Sequence, residues 1–81
     1  MGYTSDNIQT VVNTIKLTDL SELRVSRIET KEGALAAVDV RQWYCTKSDP
    51  VMKPTQKGIR IKADQFDEFM ISLNKAMGKN I

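Results

Sequence analysis

The chain has 81 residues, a single cysteine, no histidine and a formal net charge of +2. That length supports one domain with a limited core, Cys45 has no partner for an intramolecular disulfide, and a lone thiol without histidine argues against a zinc site. No apolar run approaches the roughly 20 residues of a membrane-crossing helix, and Met1–Asp6 lacks the basic and apolar regions of a signal peptide, so a soluble intracellular protein (cytoplasm, nucleoid or nucleus) is expected.

Residues 1–9 are polar and are expected to form a flexible N-terminus, leaving residues 10–81 as a single domain. Val11, Val12, Ile15 and Leu17 make Thr10–Leu17 a first strand, and Thr18–Glu22 reads as a turn. Leu23–Thr30 forms a second strand. Its apolar positions change parity between Val25 and Ile28, which predicts a bulge. Lys31-Glu32-Gly33 supplies a hairpin turn, with Gly33 able to adopt positive φ.

Ala34–Tyr44 is the clearest strand: Val38 and Val40 share one face, while Asp39, Arg41 and Trp43 share the other. Thr46–Lys57 reads as a loop, marked by Pro50 and Pro54. Gly58–Lys62 is a short fourth strand with Ile59 and Ile61 inward and Arg60 and Lys62 outward. Ala63 to Met77 is a helix whose apolar stripe is Phe66, Phe69, Met70, Leu73 and Met77. Its early acids and late lysines suit the helix dipole, Gly78 suits its C-terminal cap, and Ile71 lies off the stripe. The fold class is α+β: a four-stranded curved antiparallel sheet followed by one C-terminal helix. So small a core calls for a partner chain, and a dimer is expected.

Charge is unevenly placed. Between Arg41 and Lys62 stand Arg41, Lys47, Lys53, Lys57, Arg60 and Lys62 against one acid, Asp49, while the flanking segments are net acidic. A local basic stretch is what a polyanion site requires, although a solvated lysine-bearing loop would look the same. Single strands are held by cations along the phosphates and by rings on which unpaired bases stack. Arg41 and Trp43 on one strand face, with Arg60 and Lys62 on the next strand, supply both contacts. Trp43 and Tyr44 could instead fill the core; the claim of Val38 and Val40 on the opposite face favours exposure of Trp43. Pro54 and Gly58 either shape the loop or position its lysines. Cys45 reads as an inert thiol, and the helix stripe as core or dimer packing.

Val38-Asp39-Val40-Arg41-Gln42-Trp43-Tyr44, followed after a polar loop by Met52-Lys53-Pro54-Thr55-Gln56-Lys57-Gly58-Ile59, resembles the signature of the positive cofactor four family. Arg24-Val25-Ser26-Arg27 resembles the strand that precedes it there, and Gln65-Phe66 the opening of the helix that follows. The resemblance spans roughly residues 20–77. It implies a homodimer that binds single-stranded or locally melted DNA without strong sequence specificity, in transcription (as a coactivator), replication, recombination or repair; RNA is a possible ligand by the same chemistry. By position, Arg41, Tyr44 with Trp43, Lys53 and Lys57 are the implied contacts, joined by Arg60, Arg24 and Arg27.

The sequence departs from the family in Gln56, where a basic residue is common, and in the Trp-Tyr order of the aromatics. Strict alternation sends Tyr44 to the core face, whereas the family position is a DNA contact; a strand end or bulge would reconcile them. The acidic regulatory tail of eukaryotic members has no counterpart. No catalysis is expected: there is no histidine, no glycine-rich phosphate loop, and Asp39 has no carboxylate partner and pairs with a neighbouring base on the sheet. No cofactor, metal, small-molecule substrate or membrane is implied. The rival reading is a protein-interaction module presenting the basic loop to an acidic partner.

Overall fold

The computed structural model describes residues 7–78. Its elements are β1 (Ile8–Thr18), β2 (Ser21–Glu29), β3 (Leu35–Tyr44) and β4 (Lys53–Lys62), a 3₁₀ turn at Ala63–Gln65, and α1 (Phe66–Ala76). The strands form one open antiparallel sheet in the order β1-β2-β3-β4. The α+β architecture expected from the sequence, a four-stranded antiparallel sheet followed by one helix, is the observed one.

Several boundaries move. β1 begins at Ile8, so Ile8 and Gln9 belong to the sheet and not to the flexible N-terminus expected over residues 1–9, of which residues 1–6 lie outside the described residues. The first turn shrinks to Asp19-Leu20, because the Thr18 hydroxyl accepts from the Leu20 N–H at 3.1 Å and the Leu20 carbonyl accepts from the Cys45 N–H at 2.8 Å. The largest correction is in the last strand. β4 starts at Lys53, so Lys53, Pro54 and Lys57 lie on a strand, and the loop is confined to residues 45–52.

The expected bulge in the second strand is absent: β2 pairs with β3 in one register from Ser21 to Ile28. The parity change has another cause. Leu23 and Val25 share a face with Val38 and Val40, while Ile28 lies on the opposite face beside Ala37, and both of these are buried. The register shifts instead leave Val12 and Leu17 as extra residues on β1 and Ala36 on β3. Gly33 takes φ +89° and its N–H donates to the Thr30 carbonyl, closing the hairpin as expected.

α1 extends from the β4 end of the sheet. Phe66 sits across an apolar cleft of about 310 Å³ from Val12, Val25, Leu35 and Val38. Asp67 and Glu68 occupy its first turn and Lys75 its last, and Gly78 at φ +79° closes it through the Lys75 carbonyl. Beyond Phe69 the described residues leave its apolar side chains exposed: Ile71 as expected, and Met70, Leu73 and Met77 from the stripe. Ile59, read as inward, is also half exposed, and only Ile61 of that pair is buried. The buried apolar side chains are Ile28, Ala37 and Ile61, a very small core among the described residues. The radius of gyration, 14.6 Å, exceeds the roughly 12 Å of a compact chain this long.

Candidate nucleic-acid interface

Register builds the charged face of the sheet. Asp39, Arg41 and Trp43 alternate along β3; β2 sets Ser26, Arg24 and Glu22 opposite them, and β4 sets Arg60 opposite Asp39 and Gly58 opposite Arg41. Arg24 and Arg41 are direct cross-strand partners, an arrangement that like charges disfavour by themselves. Two carboxylates offset it. Glu22 bonds Arg24, and Asp39 takes Arg41 side-on: Arg41 Nε donates to Oδ2 at 3.2 Å and Nη2 to Oδ1 at 3.1 Å. Arg60 Nε donates to the same Oδ1 at 3.3 Å. Asp39 does pair with neighbouring bases, as expected, but with two of them and at 1% exposure. Burying a carboxylate is tolerable only with such pairing.

Gly58 makes the packing at Arg41 possible. A Cβ there would stand 2.6 Å from the Val40 carbonyl oxygen, 2.8 Å from Arg41 Cα and 2.9 Å from Arg41 Cβ. Gly58 therefore lets β3 and β4 approach closely at this point. Between Arg41 and Trp43 the β3–β4 register shifts, so that Trp43 faces Pro54 and Tyr44 faces Lys53. The residues of β4 inside that irregularity brace it: Thr55 Oγ1 donates to the Gln42 carbonyl at 2.8 Å, and the Thr55 carbonyl accepts from Arg41 Nη1 at 2.9 Å. Pro54 is tolerated near the start of β4 because an irregular position does not need its missing N–H.

The predicted contact residues fall into two places. In the first, Arg41, Trp43 and Arg60 line a cleft of about 430 Å³ with Gln9, Val11, Asp39 and Pro54. Arg24 caps the indole, its Cζ 4.1 Å from the ring centroid, a cation–π contact that orients both groups. Trp43 is half-buried, and its Nε1 is a buried donor without an acceptor among the described residues. In the second place, Tyr44, 43% exposed, and Lys53 line a small hollow with Cys45, Thr46, Asp49 and Val51. Tyr44 ends β3, and its pairing with Ser21 keeps it on the face of Leu23 and Val25, opposite Trp43, as strict alternation predicts.

Not every expected contact joins them. Arg27 projects from the other face, where it pairs with Glu29 at 3.0 Å and borders the apolar cleft under Phe66. Lys57 is exposed on β4, its N–H donating to Thr55 Oγ1. Lys53 is held by Asp49 at 2.8 Å, and that ammonium, with the Val51 N–H, lowers the Asp49 pKa below its ordinary value. Gln9 was missed as a neighbour of the site: its Oε1 accepts from Arg60 Nη2 at 3.4 Å. The signal was available in Ile8, whose apolar side chain continues the β-rich run of the first strand backward.

Among the described residues no cluster of side chains suits a metal ion, and no helix is long and apolar enough to cross a membrane. A family model described as Transcriptional Coactivator p15 (PC4) matches residues 19–72. Comparisons with curated proteins and with solved structures give no match.

Proposed function

The chain belongs to the Transcriptional Coactivator p15 (PC4) family, the positive cofactor four family of the sequence resemblance, and on that premise we propose that it binds single-stranded DNA without strong sequence specificity. The observation that carries this reading is the Arg24–Trp43–Arg41–Arg60 arrangement on one sheet face, with exposed Tyr44 and Lys53 paired nearby where β3 ends. Guanidinium groups serve phosphates and can stack on bases, exposed rings take unpaired bases, and neither contact depends on base identity. The protein works by binding, without catalysis, in transcription, replication, recombination or repair within the cell.

The binding unit is a homodimer. β1 is exposed along its whole length, with Val12 59% and Ile15 47% exposed, and the outer half of α1 is uncovered as well. Apolar surface on this scale relative to the core is the mark of an interface, and a second copy is the partner every such chain has available. Sedimentation at micromolar concentration should give a dimer that survives reductant; a folded monomer over that range would refute it.

Titration with matched single-stranded and duplex oligonucleotides tests the function. Tighter binding to the single strand, weakening steeply with salt, is the expected result. Equal or tighter binding to duplex would overturn the reading. Preference for an acidic protein over either oligonucleotide would favour the interaction module.

A further inference from the structure

A fully buried carboxylate at the floor of an anion-binding cleft is at first sight misplaced, since it repels the phosphates that the cleft should attract. Its geometry resolves the conflict. Asp39 spends both oxygens on guanidinium groups, Oδ2 on Arg41 Nε and Oδ1 on Arg41 Nη2 and Arg60 Nε. The Thr55 carbonyl takes Arg41 Nη1 from the other side, so the plane of that guanidinium is set from two directions. Arg41 and Arg60 remain 23% and 33% exposed while Asp39 is 1% exposed. The carboxylate is out of reach of a ligand, and the arginines are within it.

We propose that Asp39 is a positioning residue for single-strand binding: it locks Arg41 and Arg60 into one fixed double fork, presented beside Trp43 to adjacent phosphates of the strand. The inference rests on the single-stranded reading of the site. Fixed donors bind more tightly because the side-chain entropy is lost on folding and not on association, and arginine forks reward fixed orientation through paired bonds to phosphate oxygens. Asp39 acts through the arginines and touches no nucleic acid itself.

The two possible roles of an acid at this site predict opposite signs. Neutralising Asp39 raises the net charge by one, so an acid that merely repels phosphate would, on removal, give tighter binding. Asp39→Asn, with a similar shape, should instead bind a labelled thymidine oligonucleotide about tenfold more weakly. Its dependence of log affinity on log salt should become shallower by roughly 0.7 for each phosphate that the arginines no longer neutralise. In the Arg41→Lys/Arg60→Lys background the same substitution should cause no further loss.

Anisotropy titrations on the full chain at several salt concentrations, with thermal melting of each variant, read all of this. A folded Asp39→Asn protein that binds as tightly as wild type, or more tightly, overturns the proposal alone. A wild-type chain that fails to bind single strands overturns the functional reading and the proposal with it. If Asp39→Asn does not fold, Arg41→Lys/Arg60→Lys decides, since it keeps the charge and removes the forks: about tenfold weaker binding supports the proposal, and unchanged affinity overturns it.

Discussion

At the cleft, Trp43 lies under the Arg24 guanidinium, and every charged neighbour is held by another: Glu22 by Arg24, and Asp39 by Arg41 and Arg60. At the end of the same strand, Tyr44 stands 43% exposed beside Lys53, whose only described partner is the loop residue Asp49. Both places set an aromatic ring near a cation. The first is part of the packing of the sheet, fixed by register across three strands; the second hangs on a strand end and a surface ion pair. A site divided in this way couples binding to folding at one end and separates them at the other.

Substituting the two rings should expose this difference most strongly. Trp43→Ala removes a half-buried indole together with its contact to Arg24. It should lower stability toward the lower end of the about 3–5 kcal/mol typical of buried aromatic truncations, and calorimetry should show an earlier melt. Tyr44→Ala should melt near wild type and lose about 1–3 kcal/mol of single-strand affinity. Equal melting losses for the two would erase the distinction between the regions.

Gly58→Ala attacks the cleft through the backbone. The new methyl meets backbone atoms of Val40 and Arg41, which cannot swing aside as a flexible side chain would, so β4 must lift from β3. The expected loss is about 1–3 kcal/mol, the usual cost of overpacking, visible as a lower urea midpoint. A neutral outcome would mean that the strands part there without penalty.

The smallest effect belongs to the strand end. Asp49→Asn releases Lys53 and removes the one acid of the loop that leads into β4. Single-strand affinity should rise about twofold and the salt slope steepen by up to roughly 0.7, the value of one phosphate neutralised. Stability should hardly change, because the pair is exposed. Lowering the pH should act in the same direction. The Asp49 pKa is lowered in the folded chain, first by Lys53 and then by the Val51 N–H. The ion pair is therefore fully formed above the ordinary carboxylate pKa and is lost only as the pH falls through the depressed value. Asp49→Asn should abolish whatever part of an acid-induced gain in affinity this pair supplies.

Alternation alone determined much of this protein. Val38 and Val40 against Asp39, Arg41 and Trp43 is a period of two that only a strand satisfies, and the three- and four-residue spacing from Phe66 onward belongs only to a helix. Gly33 and Gly78 were legible because a positive φ needs a residue without a side chain. The order of these elements, together with the Lys-Pro and Lys-Gly-Ile motifs, also carried the family. Tertiary structure decided the rest. Lys53 to Lys57 read locally as loop residues; pairing with β3 turns that segment into strand, because pairing outweighs propensity. Arg27 has the same charge as Arg24 but sits on the other face, next to the helix. Arg60 reaches Asp39 from 21 positions away, and Gln9 reaches Arg60 from 51. Such meetings depend on strand register, which is set by the sum of side-chain packing across the whole sheet and not by any one segment.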